Sequence, residues 1–304
     1  MSKIPVIVSP MFLVSTTEMV IEAGKAGVIG SFPLLNARTA EICAQWLIEV
    51  KNGLDKDIPW AVNFICHKTN NKRYDVDLEL IRKYEPPIVI TSLGHPGEVI
   101  DIVHAYGGLV YSDVAHVKHA KKAAQAGVDG LILVCAGAGG HGGTLNPFAF
   151  ITAVKSFYKG KIILSGAIST GADVAAAQLM GADYAYIGTR FLAAKESNAQ
   201  EDFKQMVIES TIEDILYTNS FSGVHANYLL PSIVKAGLDP ATLQPKDKID
   251  LSHLNGVKAF KDIWSAGQGV TSITKRETTK EIVDLLIQEY SAALESLKKV
   301  EVKL

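Results

Sequence analysis

Short, uninterrupted apolar runs alternate along this chain with longer segments whose apolar residues recur at helical spacing. The short runs fall at residues 5–8, 28–30, 60–64, 88–91, 109–111, 131–134, 162–164 and 184–187. They are rich in Val, Ile and Leu and show no clean polar alternation, so both faces must be covered. That is the signature of strands in a parallel sheet. The intervening segments, residues 17–23, 39–51, 75–83, 96–105, 117–125, 148–158 and 171–179, read as helices. Strand–helix alternation means βαβ units. Eight strands with seven helices between them predict an α/β fold of the (β/α)8 barrel type, which typically takes about 250 residues. An open doubly wound sheet is the alternative. It would place a G-x-G-x-x-G motif after the first strand, and none stands there.

A weak internal repeat supports the same reading. Ala26-Gly27-Val28, Ala126-Gly127-Val128 and Gly181-Ala182-Asp183 each sit between a helix end and a strand start. A glycine there takes the left-handed conformation that stops the helix and turns the chain into the next strand.

After residue 187 the pattern loosens. Residues 209–256 do not read as another βα unit and are expected to form a small inserted domain, a lid over the barrel mouth. The barrel is then residues 1–208 and 257–304. A long final helix over 280–297, with Ile282, Leu285, Leu286, Tyr290, Ala293 and Leu297 at helical spacing, closes the outer ring. Its apolar residues suit a homodimer contact.

The 304 residues are 48% hydrophobic and 20% charged, with a formal net charge of −2 and no charge blocks. Nothing there points to nucleic acid or to an acidic membrane surface. No apolar run reaches the roughly 18 residues of a membrane span. The apolar start of the chain is broken by Pro5 and Pro10 and reads as a first core strand rather than a signal peptide. The expected location is the cytoplasm. Cys43, Cys66 and Cys135 are far apart and read as small buried residues. His67, His95, His104, His116, His119 and His253 show no metal-ligand spacing, and no metal is expected.

Chemistry in a barrel gathers where strands end. The first strand runs into Ser9-Pro10-Met11-Phe12, the third contains Asn63, and the fifth runs into Ser112-Asp113. The sixth opens the loop Ala136-Gly137-Ala138-Gly139-Gly140-His141-Gly142-Gly143, whose one ionisable group is His141. Glycines let a backbone approach a flat ligand, and an imidazole titrates near neutrality. A glycine-rich surface loop that happens to carry a histidine is the competing reading. The seventh strand ends in Ser165-Gly166-Ala167 and the eighth in Gly188-Thr189-Arg190. These are the usual phosphate loops of a barrel, and backbone N–H groups at Gly166 and Gly188, with a nearby helix N-terminus, favour an anion. Arg190 suits either that anion or a carboxylate at the barrel end. Asn63, inside an apolar strand, must find partners, either in a neighbouring loop or on a cofactor edge. His225 sits in the expected lid and is placed to face a substrate.

With these residues in view, the chain resembles the nitronate monooxygenase (2-nitropropane dioxygenase-like) family over nearly its whole length. The carriers are Pro10-Met11, Val62-Asn63-Phe64, the Gly139-Gly140-His141 loop, Ser165-Gly166-Ala167-Ile168, Met180-Gly181-Ala182-Asp183, Ile187-Gly188-Thr189-Arg190-Phe191-Leu192 and Trp264-Ser265-Ala266-Gly267-Gln268. The resemblance implies a TIM barrel with FMN at its C-terminal mouth. Pro10, Met11 and Asn63 would line the isoalloxazine, with Gly139 close to the ring. Gly166 and Gly188-Thr189 would take the phosphate, and Gln268 would approach from the C-terminal segment. Phe12, Ser112, Gly140, Ser165 and Ala167 complete the expected set. His141 matches the active-site histidine. The implied reaction oxidises an alkyl nitronate with O2 to a carbonyl compound and nitrite. The chain departs from the pattern at Gly142, where many members are basic, and at Ser112-Asp113, where some carry a lysine against the flavin. Two other functions compete: an FMN-dependent NAD(P)H reductase of quinones or enoyl thioesters, and a flavin-free barrel that binds a phosphorylated ligand.

Overall fold

The computed structural model describes residues 3–69, 71–248 and 263–299. His253, the end of the expected insert and its boundary at 256/257 lie outside the described residues.

Eight parallel strands follow one another round a barrel. They are β1 (Val6–Val8), β2 (Gly30–Pro33), β3 (Trp60–Ile65), β4 (Ile88–Ser92), β5 (Leu109–Val114), β6 (Gly130–Val134), β8 (Lys161–Ser165) and β9 (Tyr184–Ile187). The two-residue strand β7 (Gly140–His141) belongs to a second sheet. The barrel order is β1-β9-β8-β6-β5-β4-β3-β2. Closure is made by a parallel bridge between Ile7 and Ile29, in which Val8 N–H donates to Ile29 O at 2.8 Å and Ile29 N–H to Val6 O at 3.0 Å. That contact excludes the open sheet.

Each strand is buried on both faces. Ile7, Ile29, Ala61, Ile88, Ile90, Tyr111, Ile132, Ile163 and Tyr186 fill the inside. Val6, Val62, Phe64, Val89, Leu131 and Leu133 pack outward in the larger core beneath the helices. This double burial is why the runs lack polar alternation.

The helices between strands are α1 (Thr17–Ala26), α2 (Ala40–Gly53), α3 (Tyr74–Tyr84), α4 (Gly97–Ala105), α5 (Val117–Ala126), α6 (Pro147–Lys155) and α7 (Gly171–Leu179). Thr16, Thr39 and Thr170 cap α1, α2 and α7 through their hydroxyls. Gly27 and Gly127, at φ 103° and 93°, end α1 and α5 as expected of the repeat. In the third copy the cap is Met180, and Gly181 follows it at φ 97°.

The second strand differs from its expected span of 28–30. It runs from Gly30 to Pro33 because its ladder to β3 pairs Gly30 with Trp60 through to Pro33 with Asn63. The Ser31 hydroxyl, polar within this stretch, is satisfied by the Val8 carbonyl.

Beyond β9 come α8 (Glu201–Glu209), β10 (Ile215–Thr218), β11 (Ala226–Leu229) and α9 (Leu230–Lys235). β10 and β11 are antiparallel, and β11 pairs on its other side with β7. The segment after the barrel is thus knitted to the His141 loop. The final helix, α10 (Thr279–Lys298), begins with a capping box between Thr278 and Glu281 and packs against α1 and α7. Among the described residues no helix is long and apolar enough to cross a membrane.

Candidate active site

A cavity of about 1600 Å3 opens at the C-terminal ends of the barrel strands. It exceeds the roughly 300–1,000 Å3 of a pocket for one small ligand, so it has room for a cofactor and a substrate together. Pro10, Met11, Phe12, Asn63, Ser112, Gly139, Gly140, His141, Ser165, Gly166, Ala167, Gly188 and Thr189 all line it. Gln268 does not: its N–H donates to Gly137 O at 2.9 Å, which ties the returning chain to the glycine loop, and its neighbour Gly269 reaches the lining instead.

The glycine loop is shaped by backbone contact. A Cβ at Gly139 would lie 2.9 Å from Gly267 N, and one at Gly267 would lie 2.6 Å from Gly137 O. Gly267 N–H donates to Thr189 Oγ1 at 2.8 Å, so the Thr189 hydroxyl also anchors the C-terminal segment. On the far side, β7 pairs with β11, Asn227 Nδ2 donates to Ala138 O at 2.6 Å, and Tyr217 OH to Gly142 O at 3.1 Å. These tethers fix the ring of His141. Its Nε2 lies 3.0 Å from Ser222 Oγ, which is 3.0 Å from Val224 O. Ser222 thus bridges the imidazole edge and the Val224 carbonyl, and holds the ring in place. His225 stacks on Tyr217, ring centroids 5.0 Å apart, and also lines the cavity.

Asn63 uses both amide protons within the barrel, donating to Ile90 O at 3.1 Å and to Ser92 Oγ at 2.8 Å. The Ile90 carbonyl accepts only from an N–H, which fixes the orientation of the Asn63 amide. The chain of bonds continues, with Ser92 Oγ donating to Asp113 Oδ2 at 2.6 Å. Burial pushes the Asp113 carboxyl up to about 6, and the Ser92 bond opposes that rise. Ser112 turns its hydroxyl to Thr91.

The anion site is narrower than expected. The amides of Ser169 and Thr170 donate to Asp173, and that of Gly171 to Glu289 Oε2 at 2.7 Å. Two carboxylates thus occupy the start of α7. What remains for a phosphate is the Gly166–Ala167 turn, the Gly188–Thr189 turn, and the Ser169 hydroxyl, which is buried without a hydrogen-bond partner. Arg190 is not part of it: Arg190 Nη2 pairs with buried Glu277 at 2.6 Å.

Sequence reasoning missed Ser92, Tyr186, Ser222 and Asn227, and named Asp113 at the fifth strand end without giving it a role. For Asp113 the parity of its strand is the signal, since it lies two residues beyond inward-facing Tyr111. The three cysteines are buried, and burial lifts each thiol to about 12, which leaves no reactive thiolate. Among the described residues no cluster of side chains could hold a metal ion.

The family model described as nitronate monooxygenase matches residues 61–289. A nitronate monooxygenase of Paraburkholderia phytofirmans is 25% identical, with 79% of this chain and 77% of that protein covered. The (3aS,4S,5R,7aS)-5-hydroxy-7a-methyl-1-oxo-octahydro-1H-indene-4-carboxyl-CoA dehydrogenase of Rhodococcus jostii is 26% identical, covering 76% of this chain and 64% of that one. In three dimensions the nitroalkane oxidase of Streptomyces ansochromogenes superposes with a TM-score of 0.82 at 22% identity, over 97% of each chain. The family match spans most of the barrel and the His141 loop, and the chain belongs to the nitronate monooxygenase family of oxidoreductases.

Proposed function

We propose that this protein binds FMN across the barrel mouth and oxidises alkyl nitronates with molecular oxygen to carbonyl compounds and nitrite. The observation that carries this reading is His141: its ring is held by Ser222, on a glycine loop that lines a cavity large enough for cofactor and substrate. The residues present fit a flavin. The buried hydroxyls of Ser169 and Tyr186 and the Asp113 Oδ1 atom lack partners that a polar ligand would supply. When bound, the flavin supplies the two-electron redox chemistry.

The chain's own residues do the rest. Gly166–Ala167, Gly188–Thr189 and Ser169 would hold the phosphate, and Asn63 would stand beside the ring system. His141 orients the nitronate and, for a neutral nitroalkane, takes the proton alpha to nitrogen. We read the described part of the expected insert, residues 209–248, as a lid: Tyr217, Val224, His225 and Tyr228 line the cavity.

A second reading, an NAD(P)H-dependent reductase of quinones or enoyl thioesters, draws support from the cavity rim. His116, His119 and Lys122 line it around the start of α5 and would suit a phosphate-bearing co-substrate. Anaerobic visible spectra separate the readings. Bleaching of the flavin bands by nitronate alone supports the oxidation. Bleaching by NADH alone moves the function to the reductase. Absence of flavin bands after incubation with FMN overturns both.

A further inference from the structure

The inward face of the barrel changes character along its axis. Ala61, Ile90 and Tyr111 belong to its apolar interior. Two residues further on the same strands, alternation turns Asn63, Ser92 and Asp113 inward to the cavity. These three are joined in one direction, Asn63 Nδ2 to Ser92 Oγ at 2.8 Å and Ser92 Oγ to Asp113 Oδ2 at 2.6 Å. The other carboxylate oxygen, Oδ1, has no hydrogen-bond partner and is buried, although the residue as a whole is only partly so. Tyr186 of β9 faces the same ground: it is 7% exposed, its hydroxyl is also unpartnered, and Asp113 adds to burial in keeping its phenol protonated. Among the described residues no cation contributes to the titration of Asp113, which answers only to its burial and to Ser92. An uncompensated carboxylate at this depth is unfavourable. Neither the fold nor the chemistry of His141 requires it.

We propose that Asp113 opposes reduction of the flavin and couples that reduction to uptake of a proton. The inference rests on the flavin reading above. A hydride delivered to the ring system carries two electrons and one proton and leaves the ring one unit more negative. An ionised Asp113 in the same low-dielectric cavity disfavours that charge. One proton from solvent, taken onto the Asp113 carboxylate, returns the pair to its starting charge. Ser92 and Asn63 are positioning residues: they hold the carboxylate and stabilise its ionised form.

The test is equilibrium reduction of the holoenzyme against a reference dye between about pH 5 and 8, the range over which a raised carboxyl titrates. In the native protein the midpoint should fall more steeply with pH just above the Asp113 range, where the extra proton accompanies reduction. Asp113→Asn should remove that steep segment and shift the reduction equilibrium about tenfold toward reduced flavin at neutral pH. Ser92→Ala should move the break to higher pH, because it removes a bond that favours the carboxylate. If Asp113→Asn retains flavin with the native midpoint and slope, the proposal is overturned. If Asp113→Asn fails to hold flavin, an unchanged profile in Ser92→Ala overturns it. Protein that takes up no flavin overturns the cofactor reading, and this one with it. Flavin that is bound but indifferent to both variants overturns this one alone.

Discussion

His141 and Ser222 act as a unit, because the serine hydroxyl bridges the imidazole and the Val224 carbonyl. His141→Ala should lower kcat/KM for a neutral nitroalkane by about 100- to 10,000-fold, the usual worth of a positioned base. Flavin absorbance should be retained, since the glycine loop is held by backbone contacts. Ser222→Ala should cost less, because the base survives and only its orientation is released. A Ser222→Ala loss equal to that of His141→Ala would show that the serine itself contacts substrate. Arg190 is a different kind of residue. Its guanidinium and Glu277 are both almost fully buried and paired, so Arg190→Met should destabilise the protein in chemical denaturation, by less than the about 3–5 kcal/mol of a fully stranded carboxylate, because Lys275 Nζ remains 3.3 Å from Glu277 Oε1. The sequence left Arg190 between two roles because an arginine at a strand end suits an anion or a carboxylate equally well. His141 was legible because one titratable group among so many glycines has few structural uses. Asp113 was less so, because the apolar run that marks its strand stops at Tyr111, and parity points Asp113 inward only once Tyr111 is known to face the barrel interior.

Helix boundaries followed their chemistry closely. α7 occupies residues 171–179 as expected, set by Thr170 and the capping box with Asp173. α10 extends its expected span by one residue at each end. What the pattern does not carry is how these helices meet. A Cβ on Gly171 would lie 2.1 Å from Leu286 O and 2.3 Å from Tyr290 N, so α7 and α10 touch backbone to backbone there. Gly171→Ala should force them apart and lower stability by about 1–3 kcal/mol, as overpacking does. Thr278→Ala, which removes only the cap of α10, should cost about 1 kcal/mol. Thermal melts of the two variants test whether the interface or the helix end matters more; a silent Gly171→Ala would mean the two helices slide freely. The insert was illegible for a related reason. β10 has four residues and an uneven burial pattern, and β11 finds one of its partners in the His141 loop, more than 80 residues back in the chain. No local period encodes such a pairing. The second strand was misplaced because its apolar start marks the barrel closure rather than its ladder to β3.

For the molecule as a whole, barrel and open sheet share the same local pattern and differ in whether Ile7 meets Ile29. The count of strands made the barrel legible. The polar upper layer of its interior was hidden, because its members lie on three different strands. That layer has a consequence for stability. Burial lifts the Asp113 carboxyl to about 6 in the folded chain, whereas an unfolded aspartate sits near 3.9. The folded state therefore keeps its proton to higher pH than the unfolded one. Below about pH 4 both forms are protonated and the group contributes nothing. Between about pH 4 and 6 the unfolded state ionises first, so stability falls as pH rises. Above about pH 6 the full penalty stands, on the order of 2–3 kcal/mol for a shift of about two units. Asp113→Asn, which accepts the same bond from Ser92 and cannot ionise, should raise the melting temperature of flavin-free protein at pH 7.5 by several degrees, at about 2–4 °C per kcal/mol. It should leave the melting temperature unchanged near pH 4. A gain of equal size at both pH values would trace the effect to packing rather than to charge. A gain confined to neutral pH, in a variant whose flavin is also easier to reduce, would identify one carboxylate as the point where the barrel gives up stability to set the chemistry at its mouth.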